Sequence, residues 1–227
     1  SMAGMRMLMS GGNAFDALVS ATFAAAVVEP IASYSLGAES TFMLYHRQSG
    51  DFLSLSGQGT AAGKATPEFF RSLGHESIPT GPGKFAPLSF TVPGVAAACF
   101  SLLKRYGTKT VQEVLATSIE YAERGIPNYE YMLARLDAGD SISQFNLFPP
   151  GGLDVFFENG NVPEPGTLLI QRELGGVFNK MSRAADAAGG HREDAISAAR
   201  NCFYKGEIAD AIASASEGVG GILSKPD

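Results

Sequence analysis

Residues 11–30, GGNAFDALVSATFAAAVVEP, constrain the fold of this chain more than any other stretch. They read as one helix, apolar on nearly every face, with both ends marked. Asn13 is a good N-cap, and Asp16 follows three residues later, near the positive end of the helix dipole. Pro30 forbids simple continuation, and Glu29 before it is pushed toward extended geometry. Asn13, Asp16 and Ser20 share one narrow stripe. A helix with so little polar surface has to be covered on most sides. Its apolar run is about 16 residues, short of the roughly 20 that cross a bilayer, and Asp16 interrupts it. Its many alanines let neighbours approach closely, so the expected place is between packed layers.

The rest of the chain can supply those layers. Of its 227 residues, 45% are hydrophobic and 18% charged, enough apolar material for a large core. Lys and Arg total 17 against 23 Asp and Glu, a net charge of −6. That balance, with no basic cluster, excludes nucleic acid as an expected partner. No membrane span or secretory leader is read, so no membrane partner is expected. Ser1-Met2 looks like a clipped start, which leaves the compartment open with the cytoplasm favoured. Cys99 and Cys202 read as two buried thiols without a disulfide framework. His46, His75 and His191 read as surface or loop residues and share no metal-ligand spacing. No metal and no cofactor is expected.

Along the chain, residues 3–9 predict a short helix stopped by Gly11 and Gly12. TFMLYHR (41–47) and FLSLS (52–56) predict a hairpin around the QSGD turn, with Gly50 available for a positive φ. GQGTAAG (57–63) follows as a glycine-rich loop with no phosphate-binding spacing. Thr66 caps a short helix with Pro67 in its first turn. Residues 77–88 form a long Pro/Gly excursion, and 89–92 predict a short strand closed by Pro93-Gly94. Helices are expected over 95–106, over 111–124 behind the capping box Thr110…Glu113, and over 128–136 capped by Asn128. Residues 140–152 read as irregular and 154–157 as a small strand before the Asn159-Gly160 turn. Helices then follow over 171–188, with a weak point at Gly175-Gly176, over 192–202 and over 207–214, before a glycine-rich tail. Tyr45 and Phe42, Phe52, Phe69, Phe70 and Phe90 read as core. No Ser/His/Asp set, paired carboxylates or zinc spacing appears.

The ordered segments nevertheless resemble the large subunit of the γ-glutamyltranspeptidases. The opening helix resembles that family's GGNA-x-DAA-V…VVEP block. FMLYHRQSGDFLSLSGQGTAAGKAT resembles the block after it. TVPGVAAACFSLLKRYGTKTVQEVLATSIEYAERGIPN, GNVPEPGTLLIQRELG, FYKGEIADAIA and GGILSKPD resemble later blocks, in the same order. The resemblance implies an α+β fold, the four-layer αββα sandwich of the N-terminal-nucleophile hydrolases. This chain would supply the large-subunit part of a single domain, completed by a small subunit cut from the same precursor. The implied partners are that subunit, in a heterodimer or a heterotetramer built from it, and a small amide or peptide substrate. The implied chemistry is acyl transfer through a new N-terminal Thr or Ser of the small subunit, whose own α-amine serves as base. No catalytic residue is therefore expected in residues 1–227, and neither Thr60 nor Thr108 is assigned as nucleophile.

Two departures from the family pattern bear on specificity. The family places an arginine in an L-D-x-R-E-x-A-P segment after the hairpin, where it pairs with the α-carboxylate of the γ-glutamyl group. Here Gln58 occupies that place, followed by Gly59 in place of the glutamate. Gln58 is thus the candidate substrate-binding residue. A neutral amide cannot replace a charged bidentate clamp, and loss of such a pair costs about 2–5 kcal/mol in a buried site. The expected function is an amide hydrolase or acyltransferase with altered acyl specificity. The alternatives are a true γ-glutamyl enzyme that holds the carboxylate with other residues, and a non-catalytic relative used for binding or assembly. Lys64 either restores a positive charge or is an ordinary surface lysine. The family's glycine run before the first strand is changed to LGAEST (36–41), so that Glu39 either lines the pocket or faces solvent.

Overall fold

The computed structural model describes residues 1–31, 34–79, 84–147 and 152–227. Two helices open the chain, α1 (Met2–Met9) and α2 (Ala14–Val28). The hairpin β1 (Ser40–His46) and β2 (Asp51–Gly57) follows, then the short α3 (Pro67–Ser72). After a 3-10 turn at Ala86–Ser89 come α4 (Val95–Tyr106) and α5 (Val111–Arg124). A two-residue ladder pairs β3 (Ile126–Pro127) with β4 (Leu168–Leu169) and encloses α6 (Glu130–Leu136), α7 (Ser141–Leu147) and α8 (Gly152–Phe156). Three helices finish the chain: α9 (Arg172–Ala188), α10 (Arg192–Lys205) and α11 (Glu207–Gly218).

The α2 helix occupies the centre, packed against α1, α4 and α5. Val19, Phe23 and Val27 are at most 1% exposed, and the Phe23 ring meets Phe100 of α4 and Phe178 of α9. Its start is a full capping box: Asn13 Oδ1 accepts from the amides of Phe15 and Asp16, and the Asn13 amide donates to Asp16 Oδ2 at 2.8 Å. Its last turn is closed from far away, where Gln171 Nε2 donates to the Val27 carbonyl at 2.8 Å.

The hairpin forms as its alternation predicts. Phe42 pairs with Leu55 and Leu44 with Leu53 on the inner face, which α4 covers. Gly50 takes φ +74° in the turn. Tyr45 and Phe52, expected in the core, are instead 54% and 82% exposed, and Phe90 is 42% exposed. Tyr45 and Phe52 are cross-strand partners with rings 4.7 Å apart, and with Met43 they form an apolar outer face. Strand alternation sends them away from the helices, and nothing among the described residues covers that face.

Six other expectations are corrected. Residues 89–92 do not form a strand: Pro87 seeds the 3-10 turn, and only Thr91 bridges Ala61. Residues 154–157 fall largely in α8, because Phe157 is buried with its ring 5.4 Å from Phe145, which a helical turn permits. Most of the irregular stretch 140–152 is α7, while residues 148–151 lie outside the described residues, as do 80–83 of the long excursion and 32–33 of the loop before β1. Asn128 does not cap α6. Its amide donates to the Thr167 carbonyl (2.8 Å), its side chain to Thr167 Oγ1 (3.0 Å), and Tyr129 takes the cap position. Helix α9 also runs without a break through Gly175, whose missing side chain lets it lie on Ala122 and Glu123 of α5. Cys99 is buried as expected, but Cys202 is only half-buried.

Candidate functional site

The glycine-rich exit of β2 is shaped by close backbone approach. Residues 57–60 run beside 91–94, with the Val92 amide donating to the Thr60 carbonyl at 3.0 Å. A Cβ on Gly59 would lie 1.6 Å from the Val92 carbonyl oxygen, and one on Gly94 would lie 1.9 Å from that of Gly57. No side chain fits at either place, so the glycines that read only as a turn are a packing requirement. The amides of Gly94 and Val95 both donate to the Ala38 carbonyl at 3.1 Å, which ties the loop before β1 to the same junction.

Helix α10 locks this junction through Tyr204. Its hydroxyl donates to the Pro93 carbonyl (2.6 Å) and accepts from the Ala97 amide (2.9 Å). Burial pushes the phenol up to about 12, so it stays protonated at neutral pH. The Arg200 guanidinium lies over the Tyr204 ring, 5.2 Å from its centroid. The tail closes the opposite side. Asp227 Oδ1 accepts from the Gly63 amide (2.7 Å), and Oδ2 accepts from the Ser224 amide and hydroxyl (both 2.8 Å). The Gly63 hydrogen bond, with those from Ser224, holds this carboxyl below its ordinary value.

These segments enclose a cavity of about 490 Å³. Gln58 stands on its wall with an exposed side chain. Pro93, Gly94 and Ala97 form another side, and Arg200, Tyr204 and Lys225 a third. Lys225 is paired with Asp210. A more apolar cavity of about 610 Å³ adjoins it, with Pro93, Phe203, Ile212 and Leu223 common to both.

The other residues singled out from the sequence sort clearly. Glu39 is exposed and absent from the cavity wall. Lys64 is also exposed and off the wall, and its charge helps to depress the Asp227 carboxyl. Thr108 serves Asp16 rather than the cavity, with its amide and hydroxyl each 2.8 Å from that carboxylate. His46 pairs with Ser49 in the hairpin, His75 packs edge-on against Phe85, and His191 occupies the N-cap position of α10 without a side-chain cap bond. Among the described residues no group of three or more His, Cys, Asp or Glu can hold a metal ion. Sequence reasoning missed Tyr204 and Arg200 as parts of the site. The FYKGEIA block marked the segment, but only the fold reveals that it faces the β2 exit.

The family model described as Gamma-glutamyltranspeptidase matches residues 1–227. The chain is 29% identical over 227 residues to the glutathione hydrolase proenzyme of Bacillus subtilis (strain 168), covering 99% of this chain and 35% of that protein. Its structure is similar to that of Helicobacter pylori gamma-glutamyltranspeptidase, with a TM-score of 0.83 and 27% identity over 100% of this chain and 60% of the other. It is similar as well to cephalosporin acylase from Bacillus halodurans, with a TM-score of 0.80 and 27% identity over 99% of this chain and 39% of the acylase. This chain therefore spans only about a third of the curated relative's length. The expected α+β, N-terminal-nucleophile hydrolase fold is borne out.

Proposed function

The chain belongs to the gamma-glutamyltranspeptidase family, and from that premise we propose that it forms one wall of the acyl site of an amide hydrolase or acyltransferase. The attacking Thr or Ser comes from a small subunit that completes the same domain. Gln58 contacts the acyl group in place of the family's arginine, and the enzyme prefers acyl groups that do not need a charged clamp at this position.

The observation that carries this reading is the position of Gln58. It stands open on the wall of a cavity whose backbone is fixed by Gly59, Gly94 and Tyr204. An amide there offers one donor and one acceptor side, without the fork that grips a carboxylate. The similar proteins include a cephalosporin acylase beside the glutathione hydrolase, which fits a scaffold open to several acyl groups.

The test uses the full-length protein. It should separate into two bands, the smaller beginning with Thr or Ser, and cleave simple acyl 4-nitroanilides faster than the γ-glutamyl compound. A single uncut band in soluble, folded protein sinks the hydrolase reading. Cleavage of the γ-glutamyl compound alone sinks the specificity reading.

A further inference from the structure

The two adjoining cavities differ in chemistry. Arg200, Lys205, Lys225 and Asp227 put charge on the wall of the first, which Gln58 shares. The second, of about 610 Å³, has no charged side chain among its described lining residues. Leu36 from the loop before β1, Val177 of α9, and Ile208 and Ala215 of α11 form its sides. Phe90 stands on its wall as well, which explains why this ring is left out of the core. The two cavities meet along Pro93, Phe203, Ile212 and Leu223, all apolar, with Phe203 and Leu223 buried. A chain that passes from one to the other therefore meets hydrocarbon side chains throughout. The second volume lies within the roughly 300–1,000 Å³ that ligand cavities span. A molecule that fits both is amphipathic, polar at Gln58 and apolar beyond Pro93.

We infer that the second cavity takes a hydrocarbon chain carried by the acyl group, so that the substrates are amides of aliphatic acids of medium chain length. This inference rests on the proposed contact of Gln58 with the acyl group. Gln58 and the four shared side chains line one cavity, which puts the apolar chamber on the acyl side of the scissile bond. Each methylene moved from water onto these side chains strengthens binding by about threefold to fourfold. Ala215 and Val219 line the second cavity and not the first. They are specificity positions away from the scissile bond, so filling the space beside them should penalise long acyl chains and spare short ones.

The experiment compares acetyl-, butyryl-, hexanoyl- and octanoyl-4-nitroanilide on the full-length protein. Release of nitroaniline gives kcat/KM, and calorimetry gives Kd. From butyryl to octanoyl the wild type should gain about tenfold to a hundredfold. Ala215→Trp fills the second cavity from an exposed helical position. It should remove most of that gain and leave the acetyl and butyryl values unchanged. Val219→Trp, at the end of α11, should do the same. A wild-type profile that is flat or falls beyond butyryl overturns the inference, which is the result expected if a segment of the small subunit occupies the cavity. A gain that survives in both variants overturns it as well. If neither variant folds, the wild type decides: the heat capacity of binding must become more negative with each added methylene, and a length-independent value overturns the inference. Length-dependent binding without cleavage supports this cavity assignment and counts against the hydrolase reading. Cleavage without length dependence does the reverse.

Discussion

Asp16 and Thr108 lie 92 residues apart in sequence and meet through two hydrogen bonds of 2.8 Å, from the Thr108 amide and hydroxyl. The same carboxylate accepts the Asn13 amide (2.8 Å) and the Lys109 amide (3.0 Å). One fully buried side chain therefore caps α2 and anchors the turn between α4 and α5. Replacing it with asparagine removes the charge and turns one acceptor into a donor facing N–H groups. Asp16→Asn should lower unfolding stability by about 2–3 kcal/mol, read from the denaturant midpoint. An unchanged midpoint would show that this junction contributes little.

The same residue predicts an acid limit. Burial pushes the Asp16 carboxyl up, but the hydrogen bonds from Asn13, Lys109 and Thr108 outweigh it and hold the carboxyl below its ordinary value. Its folded pKa is thus depressed. The stability it lends is present above an unfolded pKa of about 3.9 and is lost as pH falls through the lower folded value. Wild-type stability should drop across that acid window, and the wild-type advantage over Asp16→Asn should narrow with it. An advantage that stays constant down to about pH 2 contradicts the assignment.

Gly59 tests whether the site depends on backbone contact. A Cβ there would overlap the Val92 carbonyl oxygen, so Gly59→Ala has to push the β2 exit away from Pro93 and Gly94. Activity toward any acyl anilide should fall by about 10²-fold or more, since displacements near 1 Å have that effect. Gly63→Ala is the control, because its Cβ would meet only Asp227 Oδ1, at 3.2 Å.

Tyr204→Phe removes a donor and an acceptor in one step. The Pro93 carbonyl and the Ala97 amide lose their partner, which costs about 1–3 kcal/mol. Thermal unfolding should report the loss. The kinetic effect should appear for every acyl anilide tested, because the whole junction shifts.

Gln58→Arg introduces the arginine that the family resemblance places at this position, and so tests the proposed contact. Turnover of γ-glutamyl-4-nitroanilide relative to the butyryl compound should rise by tenfold or more, within the 2–5 kcal/mol that a desolvated charge pair is worth (about 30- to several-thousand-fold). No rise would mean that residue 58 does not reach the acyl group.

Local chemistry made much of the fold legible. The capping boxes at Asn13 and Thr110, the hairpin alternation and the Asn159-Gly160 turn each depend on residues within a few positions of one another. What stayed hidden depends on distant partners. Asn128 looks like a helix cap until Thr167 is placed beside it. Arg192 gives no sequence signal, yet it donates to the Leu103 carbonyl (2.6 Å) and the Lys109 carbonyl (2.9 Å), closing the end of α4. The exposure of Tyr45 and Phe52 had the same origin. Alternation says that one hairpin face is buried, but not that both faces carry apolar side chains. The proposed role of Gln58 was legible only through the family resemblance, and the Tyr204–Arg200 pair on the cavity wall was not legible at all.

The outer hairpin face carries a further expectation. Met43 and Phe52 are 89% and 82% exposed and adjoin Tyr45. In a two-sheet sandwich such a face packs on the second sheet. Residues 1–227 alone should then yield an aggregating or poorly cooperative product, and Phe52→Asp in the full-length protein should impair assembly with the small subunit proposed above. A monomeric, cooperatively unfolding 1–227 fragment would count against this placement.

The seal that Gln171 places on the end of α2 also sets a timetable. The Val27 carbonyl waits for a side chain 144 residues downstream. At a synthesis rate of about 5–20 residues per second, the ribosome needs roughly 7–30 s to deliver it. For that interval α2, largely apolar, is made but lacks the Gln171 hydrogen bond at its C-terminal end. The nascent chain therefore passes through a stage in which a sticky helix is available to chaperones and to its neighbours on the polysome. Yield in the cell should depend on how that interval is managed as much as on the strength of the finished core.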